Sequence, residues 1–171
     1  LPPMMVLWVN LHGGFMLAFP IIGVFAGVAL LRRDWTNFRN YCLAGVGCFA
    51  AIFVNPLGWH IYDGVMATLG HFIQANIGEW RPYFHNMELP GSIPGIAYAL
   101  TFIALELRYR NSKPIPVEPR LLAWLFLALG LYQFRYIAFF FIFSAVPMAL
   151  HVDRLLPAHL ARLDIRRAML A

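Results

Sequence analysis

Charged side chains are scarce in this sequence. They make up 12% of its 171 residues, against about 25% in soluble globular domains. That shortage argues against an ordinary water-soluble domain. A hydrophobic share of 61% points instead to lipid as the solvent. Cysteine is also rare. Cys42 and Cys48 stand six apart in one apolar run, a spacing that suits neither a metal site nor a disulfide framework. They read as small residues of a membrane helix. No basic stretch precedes the first apolar run, so the chain does not open like a signal peptide. It starts at Leu1, and it is expected to be part of a longer protein. Internal repeats, low-complexity tracts, a C-x-x-C-H haem motif and close H-x-x-x-H spacing are all missing. No cofactor and no metal are expected.

What the chain has is a series of apolar runs broken by short polar motifs. The expected fold is all-α, a polytopic transmembrane helix bundle. About five membrane segments are marked at 13–31, 41–55, 93–107, 120–133 and 136–152. A long outer loop at 56–92 carries an interfacial or re-entrant helix, and 157–171 forms an amphipathic cytoplasmic tail that binds anionic headgroups. Fifteen Phe, seven Tyr and five Trp suit lipid contact and interfacial belts.

The last apolar run, 121–150, is too long for one ordinary span. Thirty residues make a helix of about 45 Å, while the hydrocarbon core is about 30 Å thick. Basic residues decide between one helix and two, because cytoplasmic loops collect Lys and Arg. With a turn at Gln133–Arg135, eleven basic residues fall inside: Arg32, Arg33, Arg39, Arg108, Arg110, Lys113, Arg120, Arg154, Arg162, Arg166 and Arg167. Only Arg81 and Arg135 fall outside. A single helix would divide them seven to six. Two short helices are therefore expected, with the C-terminus in the cytoplasm. This placement also accounts for the net charge of +5 without nucleic acid as a partner.

On that map the conspicuous polar motifs share the outer face. The stretch "LWVNLHGGF" places Asn10 and His12 before Gly13 and Gly14. There they hydrogen-bond either across a helix break or to a ligand. "NPLGWH" adds Trp59 and His60, with Asp63 close behind, and "EWRP" adds Glu79, Trp80 and Arg81. A carboxylate accepts hydrogen bonds from sugar hydroxyls while an aromatic ring packs on the C–H face. The alternative for these residues is an aromatic belt with a snorkelling arginine. Arg135, at the tip of two helices of about 14 residues each, lies below the outer surface and needs a partner. A lipid-linked phosphate fits its guanidinium, and a structural salt bridge to Glu79 or Asp63 is the alternative.

Taken together, "LWVNLHGGF", "NPLGWHIY", "EWRP" and "FRYIAFFFIFSAVP" resemble bacterial multi-pass membrane glycosyltransferase-like proteins of the GT-C type, which use polyprenyl-phosphate sugars. The chain looks like a C-terminal fragment of such a protein. The resemblance implies an inner-membrane helix bundle with its active site at the periplasmic face. It also implies Glu79 or Asp63 as base, Arg135 on the phosphate, and Trp80, Arg81, Asn10, His12, Trp59 and His60 around the sugar. The family's usual acid in the first outer loop has no match among Asp63, Glu79 and Glu88. Other readings stay open: a non-catalytic scaffold subunit of a larger membrane complex, a pigment or haem protein with His12 or His60 as axial ligand, and a transporter. Membrane lipids are the partner common to all of them.

Overall fold

The computed structural model describes residues 1–70, 77–109 and 115–155. The amphipathic tail at 157–171, part of the outer loop (71–76) and residues 110–114 lie outside these residues. Among the described residues every regular element is helical. There are seven α-helices, several of them preceded by short 3₁₀ turns: α1 (Pro2–Leu11), α2 (Ala18–Leu31), α3 (Trp35–Ile52), α4 (Ile61–Gly70), α5 (Ser92–Arg108), α6 (Val117–Tyr132) and α7 (Ile137–Leu155). The chain forms two units, Leu1–Arg81 and Pro82–Ala171.

The first unit is organised by the α2–α3 hairpin. Its connection is three residues long, Arg32–Asp34, and each residue has a backbone task. The N–H of Asp34 reaches the carbonyl of Ala29 and that of Arg33 reaches Leu30, both at 2.9 Å. This is a Schellman closure of α2, with Arg33 in the left-handed region at φ 57°. Asp34 then caps α3 by accepting from the Asn37 backbone N–H at 3.1 Å. The α1 helix, which the hydropathy pattern did not mark as a segment, packs on α3. Met5, Val9, Phe15, Cys48, Ala51 and Ile52 form the core. The space for α1 comes from Gly47, because a Cβ there would stand 2.9 Å from the Pro2 ring.

In the second unit α6 and α7 make the most extensive pairing. The apolar run 121–150 is divided where the arginine count placed a turn. Gln133 is extended (φ −138°, ψ 122°), and the 3₁₀ turn Phe134–Tyr136 leads into α7. Phe126 on α6 stacks with Phe139 and Phe143 of α7 at 5.1 and 5.2 Å. Phe102, Leu122, Ala123, Phe126 and Phe140 are fully buried.

Two helical stretches are long and apolar enough to cross a membrane, Gly13–Leu31 and Phe134–Leu155. Only 28% and 22% of their apolar windows are buried, so most of that surface faces outward. The other expected segments fall short. Spanning takes about 20 residues, and α5 and α6 have 17 and 16. At 18 residues, α3 opens on the polar Thr36, Asn37, Arg39 and Asn40.

Candidate functional site

The polar end of the first unit is built from the chain upward. Asn10, in the last turn of α1, donates to the carbonyls of Val6 at 2.7 Å and Val54 at 2.9 Å. It thereby ties the end of α1 to the segment leaving α3. His12 is extended, and its Nδ1 accepts from the Gly14 N–H at 2.8 Å, which caps the 3₁₀ turn Gly13–Leu17. The polar break in "LWVNLHGGF" is thus a helix exit whose two side chains close backbone donors and acceptors.

The "NPLGWH" motif follows. Asn55 Oδ1 accepts from the Leu57 N–H at 2.8 Å, an Asx turn. Gly58 sits at φ 53°, a conformation that suits glycine. That turn lays Trp59 flat on Phe53, with ring centroids 5.6 Å apart and an interplanar angle of 3°. Tyr62 stands 5.4 Å from Trp59. Trp59 remains 64% exposed, so one aromatic face is open. Beside it, His60 Nδ1 meets Asp63 Oδ2 at 2.9 Å. With Asp63 ionised, Nδ1 carries the proton and Nε2 is left as the acceptor. Both side chains are largely exposed, so the pair orients the imidazole and adds little stability.

The remaining expected site residues lie on other elements. Glu79 and Trp80 occupy the 3₁₀ turn Gly78–Trp80, which Arg81 caps, and Glu79 is exposed. Arg135 belongs to the second unit, where its guanidinium lies 5.3 Å from the Tyr136 ring centroid. Between α1, α2 and α3, Met4, Met5, Trp8, Ile22, Phe25 and Tyr41 line an apolar cavity of about 310 Å³.

Sequence reasoning missed a second polar cluster. Glu106, within the apolar run of α5, is 3% exposed. Its Oε2 accepts from Arg120 Nε on α6, and its Oε1 meets His151 Nε2 on α7 at 2.9 Å. The available signal was a single acid inside an apolar segment, which requires a buried partner. Among the described residues no group of three or more His, Cys, Asp or Glu could hold a metal ion. No family model matches the sequence, and no curated protein or solved structure is similar to it.

Proposed function

We propose that this chain is a glycosyltransferase-like module of a five-segment membrane bundle, handling a polyprenyl-phosphate-linked sugar at the periplasmic face of a bacterial inner membrane. The observation that carries this reading is the His60–Asp63 pair beside the open Trp59–Phe53 stack. The aromatic face packs on the sugar ring. Asp63 holds the imidazole so that Nε2 takes the proton of the acceptor hydroxyl. The hydroxyl oxygen bonds to the anomeric carbon, the bond from that carbon to the phosphate oxygen breaks, and the lipid phosphate leaves as an anion. The resemblance assigns a phosphate-binding role to Arg135 of the second unit, and Glu79 is the other candidate base. The apolar cavity suits a hydrocarbon chain, and the outward apolar surfaces of Gly13–Leu31 and Phe134–Leu155 suit lipid. The test is a lipid-sugar transfer assay on the full-length protein with Asp63→Asn, Glu79→Gln and Arg135→Ala. A loss of rate in Asp63→Asn and Arg135→Ala is expected. Wild-type rates in all three variants would overturn the proposal.

The alternative, a non-catalytic scaffold subunit, draws on α3, where Leu43, Val46 and Phe49 are exposed at three-residue spacing. Under that reading polar substitutions on this stripe release partner subunits from the purified complex, and the three site variants change nothing.

A further inference from the structure

The first unit holds a space that its own side chains do not fill. The cavity of about 310 Å³ is bounded by Met5 and Trp8 on α1, Ala18 and Phe25 on α2, and Tyr41 and Cys48 on α3. Its shape follows from the helix rise. The lining residues run from Ala18 to Phe25 and from Tyr41 to Cys48, so each of these walls extends about 10 Å along its helix at about 1.5 Å per residue. Phe25 and Tyr41 meet at one end, with ring centroids 5.6 Å apart. Ala18 packs on the core cluster that contains Cys48 at the other. The space is a slot that follows the α2–α3 hairpin.

Water is a poor filling for it. That volume corresponds to about ten waters at about 30 Å³ each, and each water needs about two to four polar partners. Among the lining residues only Trp8, Tyr41 and Cys48 carry a polar side-chain group, and no lining side chain is charged. Left empty, the slot would forfeit the dispersion contacts of its walls. Its chemistry asks for an apolar occupant, and its mouth indicates the source. Leu1 and Met4 on the rim are exposed. Ile21, Ile22 and Phe25 belong to Gly13–Leu31, most of whose apolar surface faces outward. In a bilayer that surface meets hydrocarbon, and the slot is continuous with it. An apolar wall reads no headgroup, so it gives a scarce lipid no advantage over an abundant one. Mass action then favours the bulk phospholipid.

We propose that this slot is a binding site for one acyl chain of a bilayer phospholipid, and that the chain completes the core between α1 and the α2–α3 hairpin. The chain lies along the hairpin and its headgroup stays outside the slot. The inference rests on Gly13–Leu31 lying in lipid and not on sugar transfer, so either can fail without the other.

The test uses the full-length protein in phosphatidylcholine nanodiscs, with a photoreactive diazirine near the end of one acyl chain. After irradiation, labelled residues are located by mass spectrometry. Label is expected to be several-fold higher on Met5, Ile22 and Cys48 than on Ile142 and Val146, which are exposed on α7. Cys48→Leu and Ala18→Leu narrow the slot, and each is expected to bring label at Met5 and Ile22 down to the α7 level. If one variant does not fold, the other and the wild-type pattern decide. A trace of polyprenyl phosphate is expected to leave the pattern unchanged. Slot label no higher than that on α7, the result if another part of the protein or a second copy fills the space, would overturn the proposal. So would undiminished label in a folded narrowed variant, or displacement of the label by the polyprenyl phosphate.

Discussion

Gly130 lies directly beneath the backbone of Ile137. A Cβ on Gly130 would stand 3.1 Å from the Ile137 Cα and 3.2 Å from its nitrogen. The Ile137 Cδ1 is also within 3.0 Å, but the two backbone contacts remain whatever rotamer that side chain takes. It sits where α6 passes through Gln133 and the following 3₁₀ turn into α7. Gly130→Ala is expected to cost about 1–3 kcal/mol through overpacking. Thermal unfolding in detergent measures it. An unchanged midpoint would show that the hairpin tolerates a wider crossing.

A second close approach orders the entry to α5. The Tyr83 hydroxyl donates to the Ser92 carbonyl at 2.6 Å and stands 2.2 Å from where a Cβ of Gly95 would lie. Burial pushes this phenol above its usual pKa, so it keeps its proton and remains a donor. Tyr83→Phe is expected to cost about 1 kcal/mol, the net worth of one hydrogen bond. Gly95→Ala displaces the same hydroxyl, so the double variant should cost less than the two single changes together. Additive costs in a double-mutant cycle would separate the two effects.

The α2–α3 turn holds a residue in an unfavourable conformation. Arg33 closes α2 at φ 57°, where glycine is the usual occupant. Arg33→Gly is expected to stabilise the protein by about 0.5–1 kcal/mol, because the Cβ of arginine opposes that conformation. Denaturant midpoints for the two proteins check the sign. A loss of stability would mean that the guanidinium makes contacts worth more than the backbone relief.

The cap after it predicts a pH dependence. Hydrogen bonds from the Asn37 backbone N–H and then its side chain hold the Asp34 carboxyl below its usual pKa. A carboxyl with a lowered folded pKa stabilises the fold above the unfolded value of about 3.9 and loses that contribution as pH falls below it. Asp34→Asn keeps an accepting oxygen and loses the charge. Stability of the wild type should therefore fall more steeply than that of Asp34→Asn on acidification through this range. Parallel curves would remove Asp34 from the account.

The break at Gln133 was legible in the sequence because arginines on both sides of a run constrain how often it crosses. The "NPLGWH" turn was legible in outline because Asn55, Pro56 and Gly58 each favour a turn for a separate reason. Glu106 was not. Its partners lie 14 and 45 residues away, and hydropathy averaged over an apolar run conceals one acid. The α1 helix escaped for a related reason. It is short, begins with two prolines and ends on a polar break, so only its packing against Cys48, Ala51 and Ile52 explains it. Asn10 and His12 were legible as unusual. Which of their hydrogen bonds were local depended on the exit angle of α1, which no spacing rule supplies.

The double hydrogen bond of Asn10 has a kinetic consequence. A ten-residue helix is marginal when alone in water. Its order comes from its packing on Cys48, Ala51 and Ile52, together with the hydrogen bond of Asn10 to the Val54 carbonyl beyond the end of α3. Opening that hydrogen bond loosens the exit of α1, while the core contacts of Met5 and Val9 remain. Removing the Asn10 side chain is therefore expected to raise amide exchange in α1 ahead of the α2–α3 hairpin.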